Sequence, residues 1–371
     1  MLENWMEETL LTAGIGVRGE HEWDLAVHDR SVYGRVAAHG SVGLGETYME
    51  GLWDCPSLDS MFDRLVRAKL HEKVRPNLAL ALQVAKAKFL NIQTRRRSRR
   101  VAKVHYDLGN DFYEAMLDPF MQYSCGYWSA GAQDLAAAQE AKLELICRKL
   151  GLRAGDSVLE IGCGWGGFAR FAVERYGVRV IGLTISSRQA SFARAHCAGL
   201  PVEILLQDYR SFSTPVDAIA SIGMFEHVGL KNYAAFFDTA RRCLPTNGLF
   251  LLHTIGSLES TLATDPWINA HIFPNGKIPS LRQLTTAVES RFVIEDVHNF
   301  GSDYDFTLMA WWENFNEYLQ SESGSKIDPS FQRMWQYYLL TCAAAFRARN
   351  LQLWQIVLSP NGQPNGYQPA R

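Results

Sequence analysis

Near the middle of the chain the run Glu160-Ile-Gly162-Cys-Gly164-Trp-Gly166-Gly167 places four glycines in six positions behind one acid. Glycine allows a tight turn and lets a ligand approach the backbone. Taken alone the run fits G-x-G-x-x-G through Gly162, Gly164 and Gly167, so a dinucleotide oxidoreductase is one reading. That pattern wants an acid roughly 20 residues on for the ribose. The chain offers Thr184-Ile185-Ser186 there, followed by Gln189, and places its acid before the turn, at Glu160. A second polar group, Gln207-Asp208-Tyr209, combines an acid with an aromatic ring. Plainer roles stay open: Asp208 and Thr184 as turn residues, Gly166 and Gly167 as packing glycines, Cys163 as small filler in the turn. The seven cysteines (Cys55, Cys125, Cys147, Cys163, Cys197, Cys243 and Cys342) are odd in number, scattered and free of any Cys-x-x-Cys pair. Neither a disulfide scaffold nor a metal site is expected.

The elements that would position these residues follow from periodicity. A helix over 136–150 leads into a strand Ser157–Ile161, then a helix 168–176, a strand 178–184, a helix 187–198, and strands 202–206, 218–222 and 248–253. Strands alternating with helices predict an α/β fold with a doubly wound, Rossmann-like parallel sheet. Ligands of such sheets sit beyond the carboxyl ends of the strands, where the glycine run, Thr184 and Asp208 all fall. Glycine punctuation and short apolar runs before residue 70 predict a small α-rich N-terminal domain. Leu78, Leu82, Ala85, Phe89 and Ile92 share one helical face. The expected division is a domain over 1–92, a basic linker over 93–104 and a catalytic domain over 105–371. In the last part Cys342 shares a helical face with Met334, Trp335, Tyr338, Leu339 and Phe346, the pattern of a core cysteine.

The 371 residues carry 37 Lys+Arg against 39 Asp+Glu, a net charge of −2. The balance is uneven along the chain. Arg64 to Lys103 holds thirteen basic residues and one acid, Glu72. A basic band on an acidic body points to an anionic surface, and the weak overall charge argues against nucleic acid. With 47% hydrophobic residues the chain can build a large core, which excludes disorder and fibre. Its first residues, MLENWMEETLL, lack a basic leader with an apolar run, and no stretch approaches the roughly 18 apolar residues of a spanning helix. A cytoplasmic protein in peripheral contact with the inner face of the membrane is expected.

The acid ahead of the glycines, E-x-G-x-G-x-G, resembles the first motif of S-adenosylmethionine-dependent methyltransferases. In them an acid such as Asp208 commonly accepts from the adenine amino group while an aromatic such as Tyr209 flanks the ring. Longer segments resemble the cyclopropane fatty acid synthases within that class: His105-Tyr-Asp-Leu-Gly-Asn110, Leu117-Asp-Pro-Phe-Met-Gln-Tyr-Ser-Cys125, Gly223-Met-Phe-Glu-His-Val-Gly229 and Leu251-Leu-His-Thr-Ile-Gly256. Asp265-Pro-Trp-Ile-Asn269, Ile272-Phe-Pro-Asn-Gly276, Asp303-Tyr304, Gly43-Leu-Gly-Glu-Thr-Tyr-Met-Glu-Gly51 and Cys342-Ala-Ala-Ala-Phe-Arg-Ala-Arg349 extend the likeness over nearly the whole chain.

The resemblance implies transfer of the sulfonium methyl of S-adenosylmethionine to a cis double bond of an unsaturated phospholipid acyl chain, by a homodimer. It implies a bound bicarbonate as base, with Cys125, Glu226, His253, Tyr304 and the backbone of Ile255 as ligands. A protonated His253 or a hydrogen-bonding Tyr304 could donate to that anion, Glu226 could orient a neighbour or accept the bicarbonate hydroxyl, and Glu226 would have a raised pKa beside it. Tyr123, Ser124, Glu160, the turn Gly162, Cys163, Gly164, Trp165, Gly166 and Gly167, then Thr184, Ile185, Ser186, Gln189, Gln207, Asp208 and Tyr209 would line the cofactor pocket. Relatives have had the cysteine matching Cys342 proposed as catalytic, although methyl transfer to an alkene needs no thiol adduct. His227 is read as a packing neighbour of Glu226. Trp128, Phe225, Trp267, Phe273, Tyr304, Trp311 and Trp312 supply aromatic faces for an acyl channel, shared with ordinary core. Two lipid alternatives remain: a sister methyltransferase making methyl-branched chains, and an inactive lipid-binding homologue.

Overall fold

A computed structural model of the chain describes residues 2–70 and 110–371. The amphipathic helix expected over 78–92, the basic linker 93–104 and His105 to Gly109 lie outside the described residues. The chain divides into two compact units, one of 1–90, 262–274 and 304–351, the other of 91–261, 275–303 and 352–371. This differs from the contiguous division expected from the sequence, because two later segments join the N-terminal one.

The physical reason lies in the long helices Asp303–Leu319 and Pro329–Arg347. Arg333 donates to the Trp53 carbonyl at 2.8 Å and to Asp54 at 2.7 Å, with its guanidinium 4.0 Å from the Tyr48 ring centroid. Tyr337 packs its ring against Tyr48 at 5.6 Å and Trp267 at 4.5 Å. Arg347 joins Asp59 at 2.6 Å to Asp305 at 2.8 Å. Two short strands, β1 (Ala26–Val27) and β2 (Trp53–Asp54), pair antiparallel in this unit beside the helices Ser31–His39, Ser41–Met49 and Leu58–Arg67.

The second unit is built on a seven-stranded sheet. Its strands are β3 (Ser157–Ile161), β4 (Arg179–Thr184), β5 (Val202–Leu206), β6 (Ala218–Ile222), β7 (Leu249–Ser257), β8 (Val293–Asn299) and β9 (Leu351–Ser359), in the order β5-β4-β3-β6-β7-β9-β8. The run from β5 through β3 to β7 is parallel, and β8 is antiparallel to β9. Side chains alternate between faces. Leu159, Ile161, Ile219, Phe250 and Leu252 pack with Phe236 and Phe237 of the helix Tyr233–Cys243. Val158, Ala218, Ala220 and Leu251 pack on the other face with Leu143 and Ile146 of the helix Leu135–Leu150 and Phe168 of the helix Gly167–Tyr176. The doubly wound sheet expected from the sequence is present.

Two strands of this sheet were not expected. The edge strand β8 has no buried residue, so it lacks the apolar alternation that marks a half-buried strand. β9 is nearly all buried, and such a run looks alike in helix and strand.

Candidate active site

The glycine run forms the turn between β3 and the helix Gly167–Tyr176. Gly164 sits at φ +52, and a Cβ placed on it would meet no atom of the described residues within 4 Å, which leaves its outer side to a ligand. Gly167 does the opposite. A Cβ there would lie 1.8 Å from the Phe120 carbonyl oxygen, so the segment leading to Tyr123, Ser124 and Cys125 packs directly on the start of this helix. Cys163 is buried beneath the turn, and its thiol is held protonated by burial. Trp165 is buried, donates to Asn110 at 3.2 Å and packs its ring 4.8 Å from Tyr113, which lies 5.6 Å from the Tyr123 ring. Glu160 is 3% exposed, and desolvation pushes its pKa well up.

At the end of β4, Thr184, Ser186 and Gln189 bond to one another. Thr184 Oγ1 donates to Gln189 Oε1 at 3.1 Å and accepts from the Ser186 amide at 3.2 Å, while Ser186 caps the helix Ser187–His196 through the Gln189 amide at 3.3 Å. The Gln207 amide donates to the Thr184 carbonyl at 2.9 Å, which brings the ends of β4 and β5 together around Ile185. Asp208 caps the turn after β5 through the Arg210 amide at 3.0 Å and pairs with the Arg210 guanidinium at 2.8 Å. The turn-cap role left open for Asp208 is therefore met. Tyr209 packs on Phe236 at 5.3 Å.

Glu226 follows β6, and His253 and Ile255 lie on the adjacent β7. The Gly223 amide donates to the His253 carbonyl at 2.9 Å, and a Cβ on Gly223 would lie 3.5 Å from that of Ser124. Glu226, on the short helix Phe225–His227, accepts the Ile255 amide on Oε1 at 2.7 Å. The Ile255 backbone donor is thus directed at Glu226. Glu226 Oε2 is buried and makes no hydrogen bond among the described residues. Burial alone raises the Glu226 pKa, the direction expected from the sequence but without an anion to cause it. Cys125 has no exposure, and its Sγ lies 3.1 Å from the Gly126 carbonyl.

His253 lies deep in the same unit. It is 1% exposed, and burial with the nearby charges of Lys142 and Lys149 drives its pKa well below 6.5. Burial thus favours the neutral ring, which can donate from one nitrogen only. Gln355 Nε2 lies 3.3 Å from His253 Nδ1, and His253 Nε2 has no partner among the described residues. An amide donating to Nδ1 leaves the ring proton on Nε2. His227 is likewise kept neutral, its pKa lowered to about 4 by burial.

Tyr304 and Cys342 belong to the other unit. Tyr304 stacks on Phe346 at 4.5 Å and meets Trp311 edge-on at 6.0 Å. Burial pushes the Cys342 thiol up to about 12, so it stays a thiol at neutral pH, consistent with a core cysteine. Trp267 packs on Tyr337 and Phe273 on Tyr338 at 5.7 Å, also in that unit.

The chain and its fold are similar to known proteins. Residues 93–356 fit the family model described as mycolic acid cyclopropane synthetase. The cyclopropane-fatty-acyl-phospholipid synthase of Escherichia coli strain K12 is 49% identical over 372 residues, covering 100% of this chain and 97% of the relative.

The chain belongs to the cyclopropane synthase family.

Cyclopropane mycolic acid synthase 1 of Mycobacterium tuberculosis is 36% identical over 266 residues, 66% of this chain and 91% of the relative. Among solved structures, the cyclopropane synthase MmaA2 of the same organism aligns with a TM-score of 0.65 at 33% identity, covering 70% of this chain and 98% of that one. The mycolic acid cyclopropane synthase CmaA1, complexed with SAH and CTAB, aligns at 0.64 and 34% identity, with the same two coverages. The fold and family make this protein an S-adenosylmethionine-dependent methyltransferase, and the dinucleotide reading is set aside.

The sequence reading missed Gln139, Lys142 and Gln355. Gln139 donates to the Ser124 carbonyl at 2.8 Å and Lys142 to Ser124 Oγ at 3.1 Å. A signal existed: Ala138, Lys142, Ile146 and Lys149 fall at helical spacing on the buried stripe, two lysines where aliphatic residues belong. Gln355 interrupts the apolar run of β9 in the same way.

Proposed function

We propose that this protein is a cyclopropane-fatty-acyl-phospholipid synthase, acting on cis double bonds of phospholipid acyl chains with a bound bicarbonate as base. The observation that supports this most is the pair of buried atoms Glu226 Oε2 and His253 Nε2, both without partners among the described residues, in one unit, Glu226 just after β6 and His253 on the adjacent β7 opposite Ile222. Buried polar atoms are rarely left unpaired, so a small polar ligand between hydrogen-bonding groups fits them. The end-to-end match to the Escherichia coli enzyme extends the reading to phospholipid, since it includes the first 92 residues that the family model does not span.

Bound S-adenosylmethionine would supply the methyl that a weakly nucleophilic alkene takes up to form a carbocation, and bound bicarbonate the base that removes a proton from that methyl so the ring closes. The chain's own groups make the surroundings. Glu226, anchored by the Ile255 amide, has its pKa raised by burial, the direction that lets it share a proton with an anion instead of repelling it. His253, neutral and with Nδ1 occupied by Gln355, presents its Nε2–H. Cys125 closes the site with a fully buried side chain that keeps water out. The open side of Gly164 receives the cofactor where the glycine backbone can approach it.

The test is turnover in carbon dioxide-free buffer with and without added bicarbonate. Wild-type rate should rise with bicarbonate, and Glu226→Gln should lose most of that response. A rate indifferent to bicarbonate removes the base assignment; a methyl-branched product would favour the sister methyltransferase.

The band of thirteen basic residues between Arg64 and Lys103 supports peripheral docking on anionic lipid, at about 1 kcal/mol per Lys or Arg near the surface. Among the described residues no helix is long and apolar enough to cross a membrane. Replacing Arg95, Arg96, Arg97, Arg99 and Arg100 with Ser should release the protein from anionic vesicles in sedimentation. Unchanged binding would exclude this contact.

A further inference from the structure

Lys142 is 0% exposed, in the middle of the helix Leu135–Leu150 and on the side that faces the sheet. A lysine is almost never fully buried unless its charge is used. Its Nζ donates to Gln122 Oε1 and, at 3.1 Å, to Ser124 Oγ. One turn earlier Gln139 donates to the Ser124 carbonyl at 2.8 Å. Two side chains of a rigid helix therefore grip a segment that has no regular structure of its own.

That segment is tightly specified on its other sides. Asp118 accepts the Gln122 amide at 2.8 Å and the Phe120 amide at 2.7 Å, and Met121 between them takes the left-handed conformation at φ +53. Gly167 admits the Phe120 carbonyl at a distance no side chain would allow. The residues gripped by Lys142 thus stand between the glycine turn and Cys125. The charged and titratable groups facing its ammonium are Asp118 from the segment, Cys125 after it, Glu160 of β3 and His253 of β7.

We propose that Lys142 is a positioning residue for this active site: its buried ammonium, bonded to Gln122 and Ser124, fixes the Tyr123-Ser124-Cys125 segment for S-adenosylmethionine binding, and loss of its proton at alkaline pH releases that grip. This rests on the reading that the segment contacts the cofactor. Hydrogen bonds from a cation are roughly twice as strong as neutral ones, so the charge matters beyond the geometry. Burial lowers the Lys142 pKa to about 8 against the opposing pull of Asp118 and Glu160, which places the release within an accessible range. A lysine serving only as core filling would leave cofactor affinity indifferent to its own titration.

Calorimetric titration of S-adenosylmethionine into wild type, Lys142→Met and Lys142→Arg at pH 7, 8 and 9, with urea unfolding in parallel, tests this. Wild type should lose about tenfold in affinity from pH 7 to pH 9, most of it above pH 8. Lys142→Met should bind at least tenfold more weakly at pH 7 and lack that further loss. Lys142→Arg, whose guanidinium keeps its proton throughout, should retain affinity at pH 9. Wild-type affinity that is flat from pH 7 to 9 overturns the proposal whatever the variants do, as does a variant that keeps the wild-type pH dependence. Wild type that fails to bind S-adenosylmethionine at any pH would instead overturn the cofactor reading on which it rests.

Discussion

Gly164 and Gly167 stand three residues apart in one turn, yet the structure predicts opposite consequences for adding a methyl group. At Gly164 a Cβ would meet no atom of the described residues within 4 Å, and the residue sits at φ +52. Alanine there carries only the left-handed backbone cost of about 1–2 kcal/mol in stability. Its methyl would enter the space assigned to the cofactor, and crowding of that kind costs about 1–3 kcal/mol, or roughly 5- to 150-fold in affinity. At Gly167 the Cβ would lie 1.8 Å from the Phe120 carbonyl oxygen, a backbone atom that cannot rotate away. Gly167→Ala must displace the segment 118–125 and should destabilise the fold by about 3 kcal/mol. Urea unfolding separates the stability effects, and calorimetric titration with S-adenosylmethionine reads the affinity. If Gly164→Ala unfolds slightly earlier yet binds the cofactor as wild type does, the open side of the turn is not the cofactor's place and the reasoning fails.

Other outcomes follow from the same geometry. His227 and His253 are neutral in the fold but titrate near 6.5 when unfolded, so their stabilising contribution is present above that pH. It is lost as pH falls toward the folded values, at about 1.4 kcal/mol per pH unit for each. The urea midpoint should drop between pH 6.5 and 4.5, less steeply in His227→Leu, and equal slopes would contradict this. Gln355→Leu strips the partner from His253 Nδ1 and should cost about 1–3 kcal/mol while mixing the two imidazole tautomers, visible by nitrogen-15 NMR as a shift of protonation between Nδ1 and Nε2. A single unchanged tautomer would show that Gln355 does not set it. Arg347→Met leaves Asp59 and Asp305 without their shared cation and should destabilise the protein by about 2 kcal/mol in chemical unfolding; no change would mean that the two pairs contribute nothing.

The parallel half of the sheet was legible because each strand from β3 to β7 carries a compact apolar run and is followed by a turn or a helical stripe. The motif residues were legible because they cluster at strand ends, where the fold gathers ligands. The joining of 304–351 to the N-terminal segment was not, since it depends on ion pairs such as Arg347 with Asp59, hundreds of residues apart in sequence. The surroundings of His253 were not legible for a related reason. Its state follows from burial among Lys142, Lys149 and Gln355, none of which belongs to a motif. Residues that act on ligands announce themselves by type and local spacing, while those that position them are ordinary lysines and glutamines in extraordinary places.

The central claim is tested most directly by incubating the protein with S-adenosylmethionine carrying a labelled methyl and vesicles of unsaturated phospholipid, then identifying the acyl chains by mass spectrometry. The account predicts chains that have gained one labelled methylene and lost the double bond to a three-membered ring, with no such product from Glu226→Gln. Labelled methyl-branched chains, or unlabelled lipid from a protein that binds S-adenosylmethionine normally, would contradict it.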